Sequence, residues 1–120
     1  MDDAKNTFED LRAWILKLSE VSESPHRFGG IEFKVGGIEF MHSHGHSWLD
    51  IRLSKEDQTS VLETGEALRH RFAPQAGWVS FKLNKQEDLV NVRKIIRLAY
   101  ENAKKNLEDV KSRRAQLTLR

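Results

Sequence analysis

With 120 residues, 38% of them hydrophobic and 32% charged, the chain suits one domain with a modest core, and no apolar run approaches the length of a bilayer span. Its 20 basic residues are matched by 18 acidic ones, leaving a net charge of +2, so a broad phosphate-binding surface is not indicated; only Lys111-Ser112-Arg113-Arg114 clusters base without acid. Zero cysteines exclude a disulfide framework, a thiol nucleophile and a cysteine-ligated zinc site.

The leading Met1-Asp2-Asp3-Ala4-Lys5 is acidic and lacks an apolar core of the secretory kind, so a cytoplasmic location is expected. A first helix is predicted from Thr7, with Asp10 three residues on completing a capping box. Phe8, Leu11, Ile15 and Leu18 line one side at helical spacing, and Trp14 and Val21 broaden the stripe. Ser22-Glu23-Ser24-Pro25 is expected to end it. A hairpin follows. Gly29-Gly30 opens it, Ile31 to Val35 forms one strand, Gly36-Gly37 the turn, and Ile38 to His42 or beyond the other. In that register Val35 opposes Ile38, Phe33 opposes Phe40 and Ile31 opposes His42. His42 and His44 then continue the apolar face of Ile38 and Phe40, at the margin of the core.

A third strand from about Ser47 to Leu53 points Leu49, Ile51 and Leu53 inward and Trp48, Asp50 and Arg52 outward. This parity separates Asp50 from His42 unless a bulge at Gly45 intervenes, and makes Arg52 or a neighbouring strand's arginine its expected partner. Ser54 with Asp57 caps a short helix running to Glu63, which Thr64-Gly65 ends. A fourth strand is predicted at Ala67 to Phe72, with His70 and Phe72 on one face. After the loop Ala73 to Gly77 a fifth strand spans Trp78 to Leu83, with Val79, Phe81 and Leu83 inward. Asn84 with Glu87 is a capping box for the last helix, striped by Leu89, Val92, Ile96, Ala99 and Ala103. A sparse seam of Ala103, Leu107, Val110 and Leu117 continues into a charged tail that extends into solvent or pairs with a second copy. The expected fold is α+β: an antiparallel sheet of about five strands with helices on one face, in the order α-β-β-β-α-β-β-α. The chain reads as a single domain, 1-120, with its core at about 7-103 and the tail at 104-120.

The segment Met41-His42-Ser43-His44-Gly45-His46 carries three of the five histidines at every second position, a spacing that allows a metal site, an acid/base site or a pH-sensitive surface. Imidazole suits first-row metals, and three histidines with one open position make a plausible zinc or iron centre. His42, His44 and His70 are the candidate ligands of such a divalent metal. The competing reading is half-buried histidines hydrogen-bonded at a sheet margin, with His46 in a loop. His26, between Pro25 and a glycine turn, reads as a loop residue. Asp50 is a candidate orienting group or general base. Trp48 and Trp78 share outward parity and line a second apolar groove or pack in the core. Ser47, Ser60 and Ser80 occupy no nucleophile context, and the glycine pairs are turns, not a nucleotide fingerprint.

The runs His26-Arg27-Phe28-Gly29-Gly30, Glu39 to Gly45, Leu49-Asp50-Ile51, Arg69 to Phe81 and Leu98-Ala99-Tyr100-Glu101 resemble small bacterial domains catalogued as luciferase-family proteins. The resemblance covers about residues 26 to 102, and its most specific pieces are His-x-His-Gly and Gly-Trp-Val-Ser-Phe. It implies that His42, His44, Asp50, His70 and Trp78 are signature positions, and no flavin or luciferin motif accompanies it. The chain departs from that pattern at His46 and in the tail after Tyr100. The element order, the Phe-Lys-Val-Gly-Gly hairpin and the late Tyr-Glu are also similar to YjbR/MmcQ domains, some of which are considered DNA-binding. A likeness of fold implies little about function. Two functions therefore stand: a small-ligand or metal-binding domain using His42, His44 and His70, with or without an enzymatic activity, and a non-catalytic module binding a protein or nucleic acid. A pH-responsive regulatory domain is a third. The expected state is a monomer or weak homodimer.

Overall fold

A computed structural model describes residues 3–118. Helix α1 (Asp3–Leu16) leads to strands β1 (Val21–His26), β2 (Gly30–Val35), β3 (Ile38–His44) and β4 (Trp48–Arg52). Helix α2 (Lys55–Glu63), strands β5 (Leu68–Arg69) and β6 (Trp78–Lys82) and helix α3 (Asp88–Thr118) complete the chain. The six strands form one antiparallel sheet in the order β1-β2-β3-β4-β6-β5. The α+β class and the helix-on-sheet arrangement are as expected; the sheet has six strands rather than five.

The core lies between the sheet and the helices. Phe8, Leu11 and Ile15 of α1 and Leu89, Val92, Ile96, Ala99 and Ala103 of α3 recur at helical spacing and are all buried. They meet Phe33, Val35, Met41, Leu49, Ile51, Val79 and Phe81, which alternate along the strands. The parity predicted for β4 and β6 holds. Residues of opposite parity, Trp48, Asp50, Trp78 and Ser80, point to the other side of the sheet.

Four expectations change. The first helix starts earlier and stops at Leu16, and the buried Thr7 is an interior residue whose Oγ1 accepts a hydrogen bond from Gln86 Nε2 at 3.2 Å. Ser22 to Pro25, read as a helix terminator, belongs to the edge strand β1. Proline is tolerated on an edge, and Glu23 is held there by the Arg12 guanidinium of α1, 2.8 Å from Nε. The fourth strand shrinks to two residues, so His70 and Phe72 sit in a loop. Finally, α3 begins at Asp88, whose carboxylate accepts from the N–H groups of Asn84 and Lys85 at 2.9 and 3.1 Å; the residues 84 and 87 precede the helix instead of capping it.

The decisive change is in the hairpin. Val35 opposes Ile38 as expected, and Lys34 opposes Glu39, but Phe33 then pairs with Met41 and Glu32 with His42. Phe40 is an extra residue on β3, a bulge that leaves Phe40 and Met41 both fully buried. Phe40 sets its ring edge-on against Tyr100 of α3, with centroids 5.9 Å apart. Beyond the bulge every side chain of β3 changes face. His42 and His44 therefore leave the helix-covered side and join Asp50.

Candidate functional site

Asp50 is the centre of the uncovered face. It lies in the middle of β4, flanked by β3 and β6, opposite His42 on one neighbour and Ser80 on the other. Its residue is only 4% exposed, which would be costly for a carboxylate without partners. It has them. Ser80 Oγ and Trp48 Nε1 donate to Oδ1 at 2.7 and 3.2 Å, and His42 Nε2 and His44 Nε2 lie 3.0 and 2.8 Å from Oδ2. His70 Nε2 faces the same oxygen at 3.5 Å. Burial alone would raise the Asp50 pKa, but the bonds from His42, Ser80 and His44 and the charge of His70 outweigh it and hold the carboxyl well below its usual range.

A carboxylate oxygen only accepts, so each imidazole nitrogen that bonds it carries a hydrogen. His42 has Nε2 on Asp50 and Nδ1 on Glu39 Oε2 at 3.3 Å, an arrangement that requires the imidazolium. Desolvation opposes that charge, yet the hydrogen bonds to Asp50 and Glu39 prevail and raise the His42 pKa to about 9. The Glu39 carboxyl, despite its burial, is pulled below its ordinary value by the bond from His42. His26 stacks on His42 with centroids 4.1 Å apart and planes 16° from parallel. Desolvation, followed by repulsion from the His42 cation, lowers its pKa.

His70 is fixed differently. Its Nδ1 accepts the backbone N–H groups of Phe72 and Ala73 at 3.1 and 2.9 Å, so its hydrogen sits on Nε2, toward Asp50. One ring thus ties the loop after β5 to the buried carboxylate. His44 is the outlier: Nε2 is anchored on Asp50, while the side chain is 41% exposed and Nδ1 makes no hydrogen bond among the described residues. Trp78 packs beside His42 and His70, its ring centroid 5.0 and 6.0 Å from theirs. A cavity of about 600 Å³ opens over this constellation, with His42, His44, His70 and Asp50 among its lining residues.

All five signature-like positions, His42, His44, Asp50, His70 and Trp78, therefore meet, on the face opposite to the one expected for the histidines. Asp50 pairs with imidazoles instead of an arginine. His46 stays apart, in the turn after β3, packed against Phe8 at 5.6 Å. His26, read as a loop residue, is part of the cluster; Trp48, read as lining a groove or packing in the core, and Ser80, read as occupying no nucleophile context, both donate to Asp50. The available signal was outward parity shared with Asp50, two residues away on the same strand for Trp48 and directly opposite on the neighbouring strand for Ser80.

The family model for the Luciferase domain matches residues 37–99, more than half of the chain and nearly the whole constellation. The chain belongs to this family. Within the matched stretch lie His42, His44, Asp50, His70 and Trp78, while His26 and Arg27 precede it. Comparison with curated proteins gave no match.

Metal binding at the cluster has a geometric basis and a geometric cost. His26, His42 and His44 offer ring nitrogens within 4.8 Å of one another. Imidazole binds an ion in the plane of its ring, and two parallel stacked rings do not aim at a common point. His26 would have to turn out of its stack and His42 to surrender a proton. His70 is not in that group, and its Nδ1 is taken up by the backbone N–H groups of Phe72 and Ala73. No helix among the described residues is long and apolar enough to cross a membrane.

Proposed function

We propose that this luciferase-domain chain binds a small organic ligand, and that the Asp50-centred histidine cluster is the floor of its binding site. One observation carries the reading: a cavity of about 600 Å³, within the range of small-molecule sites, stands over the only place among the described residues where three imidazoles converge on a buried carboxylate, with a fourth ring, His26, stacked on one of them. Binding sites combine an apolar lining with a few fixed polar groups, and here Asp50, Ser80 and His70 immobilise the rings that a ligand would touch. His44, with one nitrogen anchored and the other open, is the group best placed to bond the ligand or to exchange a proton with it. A screen of fragment-sized molecules against untagged, isotope-labelled protein tests this. Chemical-shift changes should gather on His42, His44, His70 and the Trp48 and Trp78 indoles. Hits confined to other surfaces, or none at all, would remove the basis for the reading.

A second reading is a divalent metal centre on His26, His42 and His44, favoured by the proximity of their ring nitrogens. His26 stands there in place of His70 from the set first considered. Metal content of protein purified without a tag, together with zinc titration of His26→Ala and His44→Ala, addresses it. Zinc binding that releases protons and is lost in both variants would support this centre; protein that stays metal-free and unmoved by zinc would exclude it.

A further inference from the structure

The composition of the cavity's rim goes further than its existence and, resting on the small-ligand reading above, names a ligand class. Arg27 follows β1, and Arg71 follows β5. These strands are the two opposite edges of the sheet, yet both arginines line the same cavity. Neither forms an ion pair among the described residues, unlike Arg12 and Arg97, which do. The one acidic lining residue is Asp50, and both its oxygens are already occupied by hydrogen-bond donors. A ligand entering the cavity therefore meets two unpaired guanidiniums and no open carboxylate. That is a site for an anion.

An inorganic anion would leave most of about 600 Å³ unfilled. The rest of the wall says what fills it. Phe72 lines the cavity while being 80% exposed, an unusual state for a phenylalanine that belongs to no core. Its backbone is not loose: Phe72 N–H is bonded to His70, and the following Pro74 carbonyl accepts from Gln58 Nε2 at 2.6 Å. Trp48, another lining residue, is oriented by its indole N–H bond to Asp50. One oriented indole and one exposed phenyl ring on an anchored backbone thus offer apolar surface next to two cations.

We infer that the cavity selects an organic anion with a planar apolar body, its charge answered by Arg27 and Arg71 and its ring lying against Trp48 and Phe72. The probes are 1-naphthoate, 1-naphthyl phosphate and the neutral 1-naphthylmethanol, titrated into the full chain and followed by the indole signals of Trp48 and Trp78. Either anion should bind at least about tenfold tighter than the alcohol, the scale of one charge-assisted contact. Whichever of the two binds more tightly assigns the head group as carboxylate or phosphate. Arg27→Gln with Arg71→Gln should abolish the preference without unfolding the protein, because both side chains are exposed, and Phe72→Ala should weaken all three probes. Equal binding of the alcohol, or a preference that survives in the double arginine variant, overturns the assigned class while leaving the cavity a ligand site. If none of the three moves the indoles, the class is overturned, and the fragment screen decides separately whether the small-ligand reading falls with it.

Discussion

His42 Nε2 lies 3.0 Å from Asp50 Oδ2 because Phe40 is one residue too many for its strand. Without that bulge the two side chains would stand on opposite faces of the sheet. The bond joins a cation to a carboxylate, both largely withdrawn from water, where removing one partner strands the other. Asp50→Asn should accordingly destabilise the protein by about 3 kcal/mol, and Ser80→Ala, which removes one neutral donor, by about 1 kcal/mol. Urea unfolding at neutral pH measures both. Asp50→Asn should also lower the His42 pKa, visible in imidazole nitrogen shifts. A substitution that changed neither quantity would mean the network contributes nothing to the fold.

The same bond makes stability depend on pH with a defined sign in the metal-free protein. His42 titrates at about 9 in the fold against 6.5 when unfolded, so its contribution is complete below pH 6.5 and is lost as pH rises through 9. The loss should be on the order of 3 kcal/mol. His26 acts in the other direction. Its folded pKa is below 6.5, through burial first and then the His42 charge, so stability falls as pH drops below 6.5 through that lowered value. Asp50, also depressed, removes more only as pH falls below 3.8. Unfolding free energy should thus peak near pH 6.5, with an alkaline limb that His42→Gln flattens. A profile level from pH 6.5 to 9 in the parent protein would contradict the imidazolium assigned to His42.

The cavity's outer wall depends on Gly77. Its φ of +90° lies in the left-handed region, and an added methyl would sit 2.1 Å from the Leu53 carbonyl oxygen. That carbonyl belongs to the residue whose N–H bonds the Gly77 carbonyl at 2.9 Å, so neither backbone can yield freely. Gly77→Ala should cost about 3 kcal/mol and displace the loop carrying His70, Arg71 and Phe72. Gly65→Ala is the control, with φ of +75° but nothing within 4 Å, and should cost only about 1 kcal/mol. Thermal unfolding of the pair separates clash from conformation. Equal losses would mean that backbone preference alone accounts for Gly77.

Which parts of this architecture were legible beforehand follows from how local their causes are. The parity of Leu49, Ile51, Val79 and Phe81 and the Ser54 cap of α2, whose Oγ accepts from the Asp57 N–H, depend on neighbours a few residues away. The bulge at Phe40 does not. It arises because α3 offers Tyr100 and its surroundings to two consecutive buried side chains, a tertiary demand invisible in an alternating pattern. Edge strand β1 was hidden for a related reason: it buries little, and its place is set by pairing with β2 and by Arg12. The histidines were therefore recognised as a group while their face was inverted. Asp50, set apart from them by that inversion, proved to be their hub.

The final helix invites a test of where the folded body ends. Ala103 and Leu107 are 4% and 8% exposed, and Leu107 lies so close over the β2–β3 turn that a methyl on Gly36 would be 2.3 Å from its Cδ2. Beyond it Val110 and Leu117 are 38% and 69% exposed. The sparse seam that suggested pairing with a second copy is thus half consumed within one chain, leaving two separated apolar side chains for any partner. A chain ending after Glu108 should keep its stability to within about 0.5 kcal/mol. One ending after Asn102 should lose about 3 kcal/mol, because a buried leucine and alanine leave the core and uncover the hairpin. The full chain should sediment as a monomer, since two isolated apolar residues on a charged helix bury far less than a stable interface requires. Loss of stability on removing only residues 109–120, accompanied by halving of the sedimenting mass, would instead establish the tail as a dimerisation helix.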